Sequence, residues 1–439
     1  MNRHKCYHFF QPIRMKLAFL LGILLSLTVD GHYFGKKWFY RGYLKFQVPK
    51  AVEKFYDKIL SNPGTYGQDL AFIKKAIADD WNTRPNPLNP STGIEAGPFP
   101  EGVVQIMGLW NVIFQDVKIE RMHTFVLDFD KVAVISRFSA TMGNLPPGLT
   151  EYPMFPGIDP EKLKGKSFTT LAYDVQILDK GKIRRTWHFE DWTLALDEML
   201  TGRAPANLDW PEVGYGEFLT EVPQAVYDFY KRELSDGLGE GQNLTLLAST
   251  HHEDWAVRPN PLNVVEGTGP GIVGLKGLTG LFQTIIPDLI FAPQKTWLHE
   301  DKVVVLIKVS GTVAGAPPGA TEIPLWPGID PEKLKGKKFE TLALDCHRII
   351  DGKIKQSYHI EDWQQAADQM LNDKAVPDFG LDKEYLQFAN FGWKPHGYGF
   401  YGYPAYRGHY GHTYHFRGVA RHPSGTSYTF RSPQGLGGK

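Results

Sequence analysis

Cysteine is nearly absent from this chain of 439 residues, which contains only Cys6 and Cys346. Cys6 falls in an N-terminal segment with the features of a removable signal, so no disulfide within the mature chain is expected. An excess of charge is absent too, because 48 Lys and Arg balance 48 Asp and Glu. A chain of zero net charge lacks the field that draws basic proteins to nucleic acid. We therefore expect no nucleic-acid partner and a fold that depends on packed cores.

Long apolar runs are scarce, and the clearest one, Leu17 to Val29, follows a basic stretch over residues 1–16. The run is short for a membrane span, and this layout is typical of a secretory signal. We predict a signal peptide over 1–31 and a secreted, extracellular protein, with an uncleaved N-terminal anchor as the alternative. Secretion would make Asn243 available for glycosylation, since Asn243-Leu244-Thr245 is a sequon.

The dominant feature that is present is an internal repeat. The segment Pro-Gly-Ile-Asp-Pro-Glu-Lys-Leu-Lys-Gly-Lys occurs at 156–166 and again at 327–337. Each copy is followed by an apolar run, by Gly-Lys-Ile, and by a Trp/Tyr-His-x-Glu-Asp-Trp motif that begins at Trp187 and at Tyr358. The chain is therefore one domain written twice. We predict an N-terminal arm over 32–47, domains over 48–200 and 222–374, and a linker over 201–221.

Within each copy, helical periodicity comes first and strand periodicity follows. In the first copy the pattern predicts a helix after Val48-Pro49, a second at 70–78, a proline-rich loop at 80–88 and a third helix at 102–114. A period of two then predicts four strands. Three helices packed on a curved, mostly antiparallel sheet make an α+β domain with a cavity between the layers. The strand ranges are 117–127, 131–141, 168–178 and 182–191, repeated at 289–298, 302–313, 339–349 and 353–362.

The C-terminal segment, 375–439, is rich in Gly, Tyr and His and poor in aliphatic residues. Such a composition cannot build a core, so we predict a disordered tail. Its histidines could bind a transition metal or, when protonated, acidic extracellular polymers. A flexible adhesive segment without a specific ligand is the plainer interpretation.

With the strands placed, each copy resembles the SnoaL-like polyketide cyclase or ester cyclase family. The resemblance covers about 50–200 and 222–372 and is carried by a Gly-Lys turn, a Gly-Lys-Ile turn and a final Trp-x-x-x-Asp pattern. It implies two tandem cone-shaped α+β barrels of the nuclear-transport-factor-like fold, which pack on each other as a pseudo-dimer. The matching residues are Gly165-Lys166, Gly181-Lys182-Ile183 and Trp187 to Asp191, then Gly336-Lys337, Gly352-Lys353-Ile354 and Tyr358 to Asp362.

The resemblance also implies a reaction, an intramolecular aldol ring closure in which the final aspartate acts as general acid and base without metal or cofactor. The matching residues here are Asp191 and Asp362. On a strand, each aspartate shares a face with the residues two and four positions earlier, and apolar neighbours raise the pKa of a carboxyl. The alternative is that each aspartate caps the following helix. The residues expected on these pocket faces are Trp187 and Phe189 with Asp191, and Tyr358 and Ile360 with Asp362.

The same alternation places His188 and Glu190, like His359 and Glu361, on the outer surface of the sheet.

Other candidates for ligand binding are Trp110 on the third helix and His347, which stands where the first copy has Gln176. Departures from the family pattern include a middle-strand histidine that both copies lack. The repeated loop pairs Trp81/Arg84 and Trp255/Arg258 could close the pocket mouth, or could serve only local packing.

A metal site is not expected, because His251, His252 and Glu253 are adjacent and their side chains diverge. The leading hypothesis is a secreted, cofactor-free acid/base cyclase, lyase or isomerase that acts on a small hydrophobic, polyketide-like carbonyl compound. The alternative is a non-enzymatic extracellular binding or matrix protein that uses the same pockets.

Overall fold

The computed structural model describes residues 48–84, 100–128, 130–205, 208–209, 213–235, 240–259, 271–376, 379, 381, 419–421 and 427–429. The predicted signal peptide and N-terminal arm lie outside these residues, as does the side chain of Arg84. We call residues 48–205 the first half and residues 213–376 the second half.

Helices of the first half cover one face of a sheet. The first helix, Lys50–Lys54, continues as a π-helical stretch, Phe55–Leu60, which buries Tyr56 and Ile59. The second helix, Leu70–Ile73, begins at Asp69, whose side chain accepts a hydrogen bond from Phe72 N at 2.9 Å. The helix predicted over 70–78 is present but shorter, because the chain turns at 74–76 and enters a strand at Ile77. The third helix, Pro100–Ile113, buries an apolar face that includes Trp110.

Five strands of the first half form one sheet: β1 (Ile77–Arg84), β2 (Phe114–Asp128), β3 (Lys131–Met142), β4 (Ser167–Asp179) and β5 (Lys182–Glu190). Across the sheet they lie in the order β1-β5-β4-β3-β2. The loop predicted at 80–88 begins instead as a strand, which pairs in parallel with β5. The four predicted strands are confirmed and pair antiparallel with their neighbours.

Another five-stranded sheet lies in the second half and consists of β6 (His251–Arg258), β7 (Ile290–His299), β8 (Lys302–Thr312), β9 (Lys338–Ile350) and β10 (Lys353–Glu361). Its strands have the corresponding order β6-β10-β9-β8-β7. β6 again pairs in parallel with β10, and the other neighbours are antiparallel. The predicted α+β class is confirmed. The helices of the second half are Gln224–Asp228, which continues as the π-helical stretch Phe229–Glu233, then Leu244–Thr250, Gly271–Ile285 and Pro331–Leu334.

Both sheets are open in the described residues, since the first and second strands of each lie at opposite edges. The predicted closure into a cone-shaped barrel is not seen in this pairing. Each half ends in a helix directly after its last strand, Trp192–Thr201 in the first and Trp363–Asn372 in the second. Among the described residues, no helix is long and apolar enough to cross a membrane.

The outer faces of the two sheets share one apolar cluster. Trp187 and Phe189 of β5 belong to it together with Tyr358 and Ile360 of β10, and all four are fully buried. The rings of Trp187 and Trp297 lie 6.2 Å apart across the junction. The prediction that these four residues face a pocket is wrong, because that side of each sheet is covered by the other sheet.

Polar contacts add to this apolar junction. His123 Nε2 lies 3.1 Å from Tyr358 Oη, and His299 Nδ1 lies 2.9 Å from the carbonyl oxygen of Val126. Burial lowers the pKa of both histidines, so they enter the junction as neutral rings.

The segment that joins the halves is tied to the turn between β7 and β8. Gly216 N donates to Asp301 Oδ2 at 3.0 Å, and Leu219 N donates to the carbonyl of Glu300 at 2.8 Å. Asp301 also accepts from Arg348 Nε at 2.9 Å. This strap, residues 213–221, replaces a free linker with an ordered connection.

Residues 392–439 form a separate unit. Its described part is one antiparallel pair of strands, Val419–Arg421 and Ser427–Thr429. Of the rest of the predicted disordered tail, residues 375, 376, 379 and 381 are described, and Phe379 is buried in the apolar cluster shared by the two sheets. The remaining tail residues lie outside the described residues.

Candidate active site

The inward faces of β4 and β5 carry polar side chains that touch one another in a chain. Tyr56, from the π-helical stretch, donates a very short hydrogen bond to Asp174 Oδ2. Asp174 Oδ1 lies 2.6 Å from His188 Nδ1, because the two residues are directly paired across β4 and β5. His188 Nε2 lies 3.2 Å from Glu190 Oε2. The imidazole, of which 18% of the side chain is exposed, is thus held between two buried carboxyls.

The chain continues on the other side of Tyr56. Gln176 Nε2 donates to Tyr56 Oη at 2.7 Å, and Thr186 Oγ1 donates to Gln176 Oε1 at 2.7 Å. Trp81 Nε1, on β1, donates to Thr186 Oγ1 at 3.1 Å. Seven polar side chains thus form one connected chain, in which each contacts the next, although Glu190 Oε1 is buried without a hydrogen-bond partner among the described residues. In order they are Trp81, Thr186, Gln176, Tyr56, Asp174, His188 and Glu190.

Electrostatics makes His188 a cation. Burial alone would lower the pKa of His188, but the charges of Asp174 and Glu190, and their hydrogen bonds, raise it well above the usual value. The imidazolium therefore persists at neutral pH. Burial, followed by the charge of Asp174, also raises the pKa of Tyr56 well above its usual value, so that phenol stays protonated.

A cavity of about 40 Å³ opens beside His188, between β5 and the helices. Its walls are mostly apolar, and the polar groups that line it are Thr83, Thr186 and His188. The predicted ligand-binding residues Trp81 and Trp110 are on this wall. The other lining residues are Phe55, Leu60, Val103, Ile106 and Met107.

The second half contains a corresponding chain. Tyr230 donates a very short hydrogen bond to Asp345 Oδ2, and Asp345 Oδ1 lies 2.5 Å from His359 Nδ1. His359 Nε2 lies 3.1 Å from Glu361 Oε2. Burial opposes the charge on His359, but Asp345 and Glu361 raise its pKa well above the usual value.

His347, a predicted ligand-binding residue, occupies the position of Gln176 in this second chain. Its Nε2 lies 2.6 Å from Tyr230 Oη and its Nδ1 lies 2.8 Å from Ser357 Oγ. Ser357 Oγ accepts from Trp255 Nε1 at 3.1 Å. Both ring nitrogens of His347 are therefore occupied within the protein.

Asp191 and Asp362 are the N-caps of the last helices. Each accepts a hydrogen bond of 3.0 Å on Oδ1, from Leu194 N and from Gln365 N respectively. Burial, partly offset by these hydrogen bonds, raises the pKa of Asp191 to about 6 and that of Asp362 to about 7. Asp191 is not on the cavity wall, so the capping alternative is realised and a direct catalytic role stays a prediction.

The two loop arginines have different outcomes. Arg258 is buried, with Nη1 donating to the carbonyl of Val257 at 3.0 Å and Nε donating to the carbonyl of Asp209 at 3.3 Å. The side chain of Arg84 lies outside the described residues.

The prediction that His188, Glu190, His359 and Glu361 lie on the outer surface is wrong. They face the helices, and with Tyr56 and Asp174 they form the part of the site that the sequence analysis missed. A signal was present, because both halves contain the same residue types: Tyr56, Asp174, His188 and Glu190 in the first, and Tyr230, Asp345, His359 and Glu361 in the second.

Comparison with known proteins gives only distant similarity. No family model and no curated protein matches the chain. Among solved structures, a putative polyketide cyclase, IdmH, from Streptomyces antibioticus is 21% identical, covers 33% of this chain and 95% of its own, and has a TM-score of 0.26. A putative polyketide cyclase from Bacillus cereus is 21% identical, with coverages of 36% and 99% and a TM-score of 0.25.

Another similar structure is a putative SnoaL-like polyketide cyclase from Jannaschia sp. CCS1, which is 13% identical, with coverages of 36% and 98% and a TM-score of 0.27. Each of these proteins corresponds over nearly its whole length to about a third of this chain.

Proposed function

We propose that this chain is a cofactor-free acid/base catalyst of the SnoaL-like kind, a cyclase or related lyase or isomerase, with His188 at its centre. The substrate is a small hydrophobic carbonyl compound. One observation carries the proposal: His188, an imidazolium held between two buried carboxyls, lies on a mostly apolar cavity wall whose other polar residues are Thr83 and Thr186. Perturbed, partner-held titratable groups beside a cavity are typical of catalytic sites.

The longer of the two contacts of His188, the 3.2 Å contact with Glu190, is the one that a substrate oxygen would replace. His188 Nε2 then donates to the carbonyl oxygen, and the released Glu190 carboxylate takes a proton from the carbon next to the carbonyl. In a ring closure, the enolate carbon attacks a second carbonyl of the same molecule, and the first carbonyl re-forms. The new alkoxide takes the proton of His188, and Glu190 returns its proton to the imidazole, so the catalyst is unchanged.

Asp174 and Tyr56 have a positioning role in this scheme. Asp174 holds Nδ1 of the imidazole, which directs Nε2 towards Glu190, and Tyr56 holds the other carboxylate oxygen. Such support keeps a catalytic group within the small tolerance that proton transfer requires.

The test is turnover of a panel of polyketide-like ketones by the full chain. Substitution His188→Gln should abolish turnover, since glutamine cannot transfer a proton, and Glu190→Gln should reduce it by about 100-fold or more. His359→Gln is the matched control in the second half. Asp191→Asn and Asp362→Asn test the earlier assignment of acid/base roles to these residues. Equal turnover in His188→Gln and the unmodified protein would overturn the proposal.

A non-enzymatic binding protein is the second candidate. It is favoured by the occupation of both imidazole nitrogens by carboxyls, which leaves neither nitrogen open to a substrate. Binding pockets for drug-sized ligands are usually ~300–1,000 Å³, so a ligand of that size needs the cavity to enlarge. Saturable ketone binding with no turnover would support this second function.

We also propose that the two halves are tandem copies of one domain and that the chain is secreted. The matching strand orders and polar chains support the first point. For the second, Asn243 is exposed and uses only Oδ1 in capping its helix, which leaves Nδ2 open to a glycan. A mass loss on deglycosylation of the secreted protein, absent in Asn243→Gln, is the expected result. We propose in addition that the C-terminal tail, residues 375–439, contacts acidic extracellular polymers.

A further inference from the structure

Thr83 lies on the inner face of β1, the edge strand that pairs in parallel with β5. Its partner across the two strands is Thr186, and both threonines line the cavity beside His188. Only 3% of Thr83 is exposed, so the residue belongs to the cavity wall and not to the outer surface. The cavity therefore has a polar residue on a second strand, opposite the polar residues of β5.

The other polar groups of the cavity wall are already engaged. Thr186 Oγ1 donates to Gln176 Oε1 and accepts from Trp81 Nε1. Each ring nitrogen of His188 is in contact with a carboxyl. The Thr83 hydroxyl, by contrast, makes no hydrogen bond with another described residue. A hydroxyl removed from water without a partner is costly, so we expect a group that occupies the cavity to bind it.

The second half shows that the fold does not require this hydroxyl. Val257 of β6 occupies the position of Thr83, because it pairs with Ser357 of β10 as Thr83 pairs with Thr186. Val257 is also 3% exposed and packs within the apolar core. A valine thus fits this place in the sheet, and the hydroxyl of Thr83 is free for a role in the half whose cavity His188 lines.

We propose that Thr83 is a specificity-determining residue that selects a ligand with two carbonyl groups. The inference rests on the proposed function, in which His188 binds one carbonyl oxygen of a hydrophobic compound. Thr83 donates a hydrogen bond to a second carbonyl oxygen of the same molecule. In a ring closure, this second carbonyl is the one that the enolate carbon attacks, so Thr83 holds it in place for the attack.

The spacing of the two residues fits such a ligand. His188 lies two residues beyond Thr186 on the same face of β5, and Thr83 lies opposite Thr186. Neighbouring strands are ~4.8 Å apart and two residues advance a strand by ~6.6 Å, so the Cα atoms of Thr83 and His188 are about 8 Å apart. A linear compound with a short carbon chain between its two carbonyls can therefore contact both side chains.

Binding of two matched ketones to the full chain tests the proposal. One is the linear seven-carbon diketone with oxygens on its second and sixth carbons, and the other is the seven-carbon ketone with an oxygen on its second carbon alone. The unmodified protein should bind the diketone about 3- to 10-fold more tightly, as expected for one additional hydrogen bond. This preference should be lost in Thr83→Val and retained in Thr83→Ser, which keeps the hydroxyl.

Thr83→Ala is a second variant without the hydroxyl, for use if the valine variant fails to fold. Equal affinities of the unmodified protein for the two ketones, including no binding of either, would overturn the proposal. A preference for the diketone that survives intact in Thr83→Val or Thr83→Ala would overturn it as well.

Deuterium exchange at the carbons next to the carbonyl of the monoketone separates this inference from the proposed catalysis. That exchange requires His188 and Glu190 but no second oxygen. Exchange that is equally fast in His188→Gln would contradict the catalytic scheme. A preference for the diketone that depends on Thr83 would then still assign Thr83 to ligand selection, in a binding cavity without turnover.

Discussion

At the scale of single residues, the site depends on a largely buried cation, His188. His188 has a carboxyl on each ring nitrogen, and the outer oxygen of Asp174 is held in turn by Tyr56. A buried charge is tolerated only when it is paired and hydrogen-bonded. The pairing explains why polar side chains can line the inner face of a sheet that is otherwise packed against apolar helices.

Asp174→Asn should therefore be strongly destabilising. It removes one of the two charges that hold the imidazolium, and breaking a buried ion pair typically costs ~3–5 kcal/mol. The free energy of unfolding in urea, with Asp345→Asn as the matched change in the second half, measures the loss. A variant within about 0.5 kcal/mol of the unmodified protein, the range of ordinary surface substitutions, would contradict this role.

Thr186→Val tests the other end of the chain. Valine keeps the shape but leaves Trp81 Nε1 without an acceptor and Gln176 Oε1 without a donor. Unsatisfied buried groups cost ~1–3 kcal/mol each, so a comparable loss in the free energy of unfolding is expected. Ser357→Ala, which removes the acceptor of Trp255 Nε1, should behave similarly.

Sequence reasoning found the period of β5 but assigned its faces the wrong way round. An apolar face is normally the core face, and Trp187 and Phe189 suggested a pocket on that side. Here both faces are buried, since the apolar one packs against the other sheet and the polar one forms the hydrogen-bonded chain. Alternation alone cannot distinguish these two kinds of burial; the pairing of His188 with Asp174 depends on strand register, which single-strand patterns do not contain.

At the scale of elements, the strap between the halves has a strict requirement at one position. A Cβ on Gly216 would lie 1.9 Å from the carbonyl oxygen of Ile349, whereas a Cβ on Gly214 would meet nothing within 4 Å. Gly216→Ala should therefore release the strap from Asp301, and Gly214→Ala should not. Faster proteolysis within 213–221 in Gly216→Ala alone is the expected result, and equal proteolysis of the two variants would argue against an anchored strap.

The elements themselves were predicted well where long periodic segments exist, as in β3, β4, β8 and β9. The strands that begin at Ile77 and His251 were missed, because each is an edge strand followed by a proline-rich stretch. The early helix was also overextended, since Lys74 to Ala76 form a turn that the apolar spacing does not reveal.

At the scale of the whole molecule, the shared outer cluster joins the halves thermodynamically. Phe189 and Ile360 are both fully buried within it. Phe189→Ala and Ile360→Ala should each cost ~2–5 kcal/mol and should lower the midpoint of one common unfolding transition. Calorimetry that resolves two transitions, with only one affected by each variant, would show that the halves unfold independently.

The raised pKa values of Asp191 and Asp362 predict how stability depends on pH. Asp191 and Asp362 have folded pKa values of about 6 and 7, above the ordinary value of ~3.9. They bind more protons when folded, so their stabilising contribution is full below about pH 4 and is lost as pH rises through 6 and 7. Relative to the double variant Asp191→Asn/Asp362→Asn, the unmodified protein should therefore lose stability between about pH 4 and 8, measured by urea unfolding. A difference that is constant with pH would contradict the assignment.

The central claim is that His188 is an imidazolium held on both nitrogens by Asp174 and Glu190. Nitrogen-15 NMR of the full chain at about pH 7.5, a full unit above the ordinary histidine pKa of ~6.5, tests it most directly. With His188→Gln to assign the signals, we expect both ring nitrogens of His188 to carry protons. A neutral ring with one bare nitrogen at that pH would contradict the account.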